Sequence, residues 1–235
     1  MHPFKQSVIF YARNIEYLLL LAFAIVLPFS LLHTFVTNYV YFWTVLTDTN
    51  AFGDVVNTFY MLLFFFVGQL PFVQYVQSEV EGEEKGLRRA FRTFFVHGFS
   101  VFLFGLLYVL LVLMGSLLFI VPGLIVLTLF FLTPFLVVMK DQSAWKSWQV
   151  AFQLGKRNFL PLFGLLLVMS VVEWLIGFTG LFGISMVTSN YAAFLFSQIM
   201  LNMIIYPFMV VLITFYVRKW RNDMHGERSP EPLAD

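Results

Sequence analysis

The chain has 235 residues, of which 60% are hydrophobic and only 11% charged, with mean hydropathy +0.84 and a formal net charge of +1 at pH 7. So few charges cannot cover the surface of a soluble domain of this size, and the near-neutral balance gives no electrostatic ground for a nucleic-acid partner. Cysteine is absent, which removes disulfides, thiolate metal sites, Cys nucleophiles and palmitoylation together.

Crossing the ~30 Å hydrocarbon layer takes about 20 apolar helical residues, so uncharged runs count the passes. The chain opens on FKQSVIFYARNIEY, a weakly amphipathic segment with Lys5 and Arg13, before a first span at 17–37. That run is too long for a signal-peptide core and lacks a small-x-small cleavage site, so it reads as a retained helix. A loop at 38–53 leads to a second span at 54–76. The stretch 93–139 has no Lys, Arg, Asp or Glu and amounts to roughly 70 Å as helix, which makes two passes, 94–117 and 121–139, turning near Pro122. Spans at 159–179 and 194–217 follow, with Gly177, Gly180 and Gly183 expected to turn the chain between them. Helices are the structure open to these runs, because they lack the alternation of a membrane barrel and unpaired backbone is costly in lipid. The expectation is an all-α polytopic protein with one six-helix transmembrane domain over residues 1–225 and a disordered cytoplasmic tail, GERSPEPLAD, at 226–235.

The threading puts every Lys and Arg on one side. Lys5 and Arg13, then Lys85, Arg88, Arg89 and Arg92, then Lys140, Lys146, Lys156 and Arg157, and finally Arg218, Lys219, Arg221 and Arg228 share it, while the opposite connections carry none. By the positive-inside rule both termini are cytoplasmic, in a cell membrane of bacterial type.

The basic connectors have apolar faces as well. In SAWKSWQVAFQLGKRNF, Trp145, Trp148 and Phe152 fall on one helical face, with Lys146, Gln149, Gln153 and Lys156 on others. GEEKGLRRAFRTFF sets Leu87, Phe91 and Phe94 against Arg88, Arg89 and Arg92. Two accounts fit: basic flanks that anchor helix ends, or an interfacial collar for anionic lipid. In the second, Arg88, Arg89, Arg92, Trp145, Lys146, Trp148, Lys156 and Arg157 are the headgroup contacts, each basic residue contributing about 1 kcal/mol. The connectors also suggest repetition. AFRTFFVHGFSVFLFGLL aligns with AFQLGKRNFLPLFGLL, and ARNIEYLLLLAF resembles GKRNFLPLFGLL, implying an interfacial helix followed by a membrane hairpin, used more than once.

The run from LLFIVPGLIVLTLFFLTPFLVV through KSWQVAFQLGKRNFLPLFGLLLV has Pro122-Gly123 between the third and fourth spans, a proline in the fourth and an amphipathic segment before the fifth. In this it resembles the YciC-like membrane proteins and the related membrane domain found beside glycerophosphoryl diester phosphodiesterases. The resemblance covers roughly residues 80 to 170 and implies a six-helix membrane fold. It carries over no catalytic residue, and the phosphodiesterase itself needs a separate barrel of about 250 residues for which this chain has no room.

Polar residues inside spans are costly in lipid and tend to face a cavity or a partner. His33, Asn57, Glu173, Gln198 and Asn202 share one depth in the threading, toward the non-basic side. Joined, with His33 pairing Glu173, they would make a proton-linked or ligand-coordinating site. The plainer account has Glu173 reaching water near the interface and the amides bridging helices for about 0.6 kcal/mol. His97, near the basic side, is expected to reach the headgroups. Pro28, Pro71, Pro134 and Pro207 mark bends, and Pro161 lies in a first helical turn, where it is tolerated. No HExxH, P-loop, GxSxG or acidic metal pair occurs, so no metal or cofactor is expected.

Together these features point to a non-enzymatic accessory or scaffold protein acting through membrane lipids, anionic on the cytoplasmic face, or through a membrane-protein partner, in envelope homeostasis. The main alternative is a small-solute or proton-linked transporter using the polar layer around Glu173. An intramembrane lipid-modifying enzyme is third.

Overall fold

The computed structural model describes residues 2–47 and 49–226, and among these there is no strand. The chain order is α1 (Pro3–Arg13), α2 (Ile15–Leu46), α3 (Asn50–Val80), α4 (Gly86–Leu118), α5 (Ile120–Phe130), α6 (Thr133–Lys140), α7 (Ala144–Arg157), α8 (Phe159–Ser185) and α9 (Tyr191–His225). Six stretches are long and apolar enough to cross a membrane: Ile15–Leu46, Ala51–Val80, Gly86–Leu118, Ile120–Lys140, Phe159–Ser185 and Tyr191–Met224. The protein is an all-α, multi-pass membrane protein. The tail at 227–235 lies outside the described residues.

Several helices are longer than the ~30 Å hydrocarbon layer is thick. The 32 residues of α2 make about 48 Å of helix at 1.5 Å per residue. Most of the expected loop at 38–53 is therefore helix, and Tyr39, Phe42 and Trp43 form edge-on ring pairs along it. The glycines expected to turn the chain after the fifth span are likewise inside α8, which continues to Ser185. Gly180 is there for packing: a Cβ would come within 2.9 Å of Leu201 on α9. Nor does Pro122-Gly123 form the α4–α5 connection. Phe119, in extended conformation, makes it, while Pro122 sits in the first turn of α5, where its missing N–H is harmless, and Gly123 packs against Ser116.

Of the prolines expected to bend spans, Pro28, Pro71 and Pro207 lie within continuous helices. Pro134 follows a real interruption, at residues 131–132 between α5 and α6. It cannot donate to the Phe130 carbonyl, and the Thr133 hydroxyl donates there instead at 2.7 Å.

The two alignments behind the expected repeat fare differently. AFRTFFVHGFSVFLFGLL lies within the unbroken α4, whereas AFQLGKRNFLPLFGLL breaks between α7 and α8, so that pair has no common structure. The Arg-Asn match does. Asn14 joins α1 to α2 with φ −113° and ψ 18°, and Asn158 joins α7 to α8 with φ −112° and ψ 32°. In both places a short helix ending in arginine meets a long apolar helix across one asparagine.

The chain divides into two compact units, Met1–Leu27 with Asn158–Asp235, and Pro28–Arg157. In the first, α9 packs against α1 and α8. Phe10 meets Phe215 and Tyr11 meets Phe208 edge-on, and the Tyr11 hydroxyl donates to the Ile204 carbonyl at 2.8 Å, close to the gap that Pro207 leaves in the helical ladder. In the second, α3 packs against α4 and α6, α4 against α5, and α7 lies across α5 and α6. Its aromatic centre is Phe66, 4.6 Å between centroids from Tyr108 and 6.3 Å from Phe104.

Candidate functional site

The turn between α3 and α4 is set by its sequence, EGEEK. Gly82 takes φ +69°, Gly82 N–H donates to Glu79 and Glu83 N–H to Ser78, the paired bonds that close a helix on a left-handed glycine. Lys85 then enters the left-handed region at φ +64°, where a residue with a Cβ is strained by the order of 1 kcal/mol, and α4 starts at Gly86. Gly86 lets the two helix ends close up, since a Cβ would meet the Glu79 carboxylate at 2.9 Å. Thr93 donates to Gln74, and Gln74 to Ser78, which fixes the first two turns of α4 against α3.

With Gly86 and Ala90 buried, the opposite stripe of α4 faces outward, and it carries Lys85, Arg88, Arg89 and Arg92. With Glu84 they line an open cleft of about 600 Å³. Arg89 forms an ion pair with Glu83. Lys85, Arg88 and Arg92 pair with no carboxylate among the described residues. The arrangement works against the helix. Like charges one turn apart cost about 0.2–0.5 kcal/mol per pair, and cations in a first turn oppose the helix dipole by about 0.3–1 kcal/mol each. No acidic residue relieves that turn and no side chain caps it. Helix stability gives no reason for the stripe; membrane orientation accounts for its sign, and the unpaired groups are placed to meet an anion. Arg88, Arg89 and Arg92 were legible in the sequence as headgroup contacts; Lys85 was counted only among the one-sided basic residues, although it stands three residues before Arg88 on the same stripe.

The other headgroup candidates lie on α7. Its buried stripe is Ala144, Ser147, Ala151, Leu154 and Gly155, and its closest approach is at Gly155, where a Cβ would come within 2.7 Å of the Leu129 carbonyl oxygen. Trp145 meets Phe104 edge-on, while Trp148 and Phe152 both pack on Phe130, so the aromatic face lies against the protein's own α4 and α5. Lys146, Lys156 and Arg157 are exposed, and Trp145 is half exposed.

His97, expected to reach the headgroups, is bonded instead to Asp141 at 2.8 Å. Asp141 closes α6 with the same paired bonds as Gly82 closes α3, at φ +49°. An aspartate tolerates the glycine position here, and its carboxylate ties the α6–α7 corner to α4. Beside it, the Ala144 N–H donates to the Ser100 hydroxyl at 3.0 Å.

The polar span residues fall into two sets. In the unit Pro28–Arg157, a ring nitrogen of His33 lies 3.4 Å from the backbone carbonyl of Asn57, so the asparagine contributes its main chain. In the other unit, the half-buried positions in the second half of α8 are Glu173, Gly177, Gly180 and Ile184, one stripe that faces α9. Gln198 meets this stripe at Gly177, and Asn202 lies one turn along from Gln198. The Gln198 carbonyl oxygen is buried without a partner, and Glu173 forms no hydrogen bond or ion pair among the described residues. Among those residues no three His, Asp or Glu side chains gather to hold a metal.

Comparison with known proteins finds no matching family model, no curated relative and no matching solved structure.

Proposed function

We propose that this multi-pass protein is a non-enzymatic scaffold or accessory protein of the cell membrane, with both termini cytoplasmic, that works by gathering anionic lipid against its basic end. The YciC-like resemblance is consistent with that role. The observation that carries the reading is the unpaired cationic stripe of Lys85, Arg88 and Arg92, which costs α4 stability and is offset by no ion pair among the described residues. The exposed Lys146, Lys156 and Arg157 of α7 extend the same charge along a helix whose apolar side is already packed. Lipid contacts of this kind hold a membrane protein's surroundings in a given composition and present them to a partner membrane protein.

The test is extraction of the protein with its surrounding lipid in polymer nanodiscs. Anionic phospholipid enriched over the bulk membrane, and lost when Arg88, Arg92, Lys146 and Lys156 are changed to Gln, supports the scaffold. Lipid composition equal to the bulk membrane overturns it. Thr188→Cys, in a chain without cysteine, labels from outside the cell if the orientation is right.

A second reading, transport, is favoured by the unpartnered Gln198 carbonyl and Glu173 on facing stripes of α9 and α8. Solute flux in proteoliposomes that Glu173→Gln abolishes would make it the better account.

A further inference from the structure

We propose that the cleft lined by Lys85, Arg88, Arg89 and Arg92 is a binding site for a phosphomonoester group, borne by a lipid headgroup or by a small soluble molecule. The inference rests on the lipid-contact reading above and narrows it to one chemistry. Three arguments converge on it.

The first is charge. Glu83 neutralises Arg89, which leaves Lys85, Arg88 and Arg92 facing the single carboxylate of Glu84 in the lining, an excess of two positive charges. A phosphomonoester carries about −1.5 to −2 at pH 7 and matches that excess, whereas a phosphodiester lipid carries one charge and leaves half of it unmet.

The second is geometry. Arg88 and Arg92 are one helical turn apart on the same stripe, so two planar guanidinium groups can address one set of phosphate oxygens, each with two parallel N–H donors. Lys85, in its left-handed conformation at the head of the stripe, adds a flexible point charge beside the uncapped first turn of α4.

The third is size. An open cleft of about 600 Å³ is far larger than a lone phosphate and lies within the roughly 300–1,000 Å³ range of small-molecule sites, so it has room for a phosphate attached to a body of glycerol-headgroup dimensions. Glu84 in the lining works against a second anionic group and favours hydroxyl-bearing bodies, from which its carboxylate can accept hydrogen bonds.

The experiment measures binding of short-chain lipids to the full chain in neutral-lipid nanodiscs, by native mass spectrometry. Dioctanoyl phosphatidic acid is expected to bind at least about tenfold more tightly than dioctanoyl phosphatidylglycerol, the difference between a charge-matched and a half-matched ligand. Arg88→Gln with Arg92→Gln should erase the preference, while Lys156→Gln with Arg157→Gln should leave it intact. Glu84→Gln should raise affinity by about threefold, a gain that no misfolded variant can give. Glycerol 3-phosphate serves as the soluble arm. If it competes as well as the lipid, the site stands and its natural ligand is soluble; if it fails, the site stands as a headgroup site. Equal binding of the two lipids, or a preference untouched by the Arg88/Arg92 change, overturns the proposal. The scaffold reading would survive that result, since it needs only anionic lipid at the basic end.

Discussion

In α3 every residue from Phe66 to Ser78 except Gln74 is buried, whereas between residues 51 and 62 only Gly53 is. The same division recurs elsewhere. Buried positions in α4 end at Val112, and in α8 they are Leu162, Leu166 and Met169, with none beyond. In α9 the burial is dense from Pro207 to Val217 and sparse before it. Each of these helices is closed off toward the end that carries the basic connectors and open toward the other. The open ends keep their apolar side chains, among them Phe52, Leu117 and Phe196. In water such surfaces would be a liability; in lipid they are at equilibrium with their solvent, and packing them would bring no hydrophobic gain. Within each unit, specificity of the fold is therefore concentrated at the closed end, where side chains interlock.

Paired substitutions at the two ends test this division. The largest effect is expected from Phe66→Ala, which removes the ring that packs against Tyr108 and Phe104 at the closed end. A loss of about 3–5 kcal/mol is expected, against almost none for Phe52→Ala, 61% exposed at the open end. Denaturant titration of both variants in one lipid mixture measures it, and equal losses would break the comparison. Next is Gly155→Leu, whose side chain has the Leu129 carbonyl in its way; it should lower stability by about 1–3 kcal/mol. Gly183→Leu, with nothing within 4 Å of a new Cβ, should be neutral. The smallest effect is expected from Tyr11→Phe, which forfeits one hydrogen bond to the Ile204 carbonyl, about 1 kcal/mol. It also carries a pH signature. Burial raises the Tyr11 phenol above its ordinary value of 10.0, so its stabilising contribution is whole below pH 10 and fades as pH climbs through the folded-state value. Stability of the native chain should decline more steeply above pH 10 than that of Tyr11→Phe, as melting curves across that range would show.

Six spans and their all-α class were legible because length and apolarity are properties of the chain alone. Helix ends were less so. Proline and glycine were read as punctuation at Pro122 and at Gly177–Gly183, yet there they serve the first turn of α5 and the approach of α8 to α9; a glycine that makes room and a glycine that turns the chain look alike in one dimension. Gly82 does turn the chain after α3, but two other corners rest on residues with no such mark, Phe119 in extended conformation and Asp141 in the left-handed region. Three of the four basic residues of the cleft were visible as a cluster, Arg88, Arg89 and Arg92. That it is concave, and that Glu83 takes up one arginine and leaves the others, depends on how the α3–α4 turn folds back.

The two asparagine joints bear on how the chain withstands proteases. Arg13-Asn14 and Arg157-Asn158 are both bonds that trypsin would recognise by sequence, and both lie at a change of helix. A protease needs several residues drawn out in extended form. At Asn14 the backbone N–H still donates to Phe10 and the carbonyl still accepts from Leu18, and at Asn158 the carbonyl accepts from Leu162, so neither joint can be threaded into an active site without unwinding a helix. The turn at 81–85, ending on Lys85, is by contrast an exposed foothold, and a ligand in the cleft would lie directly over it.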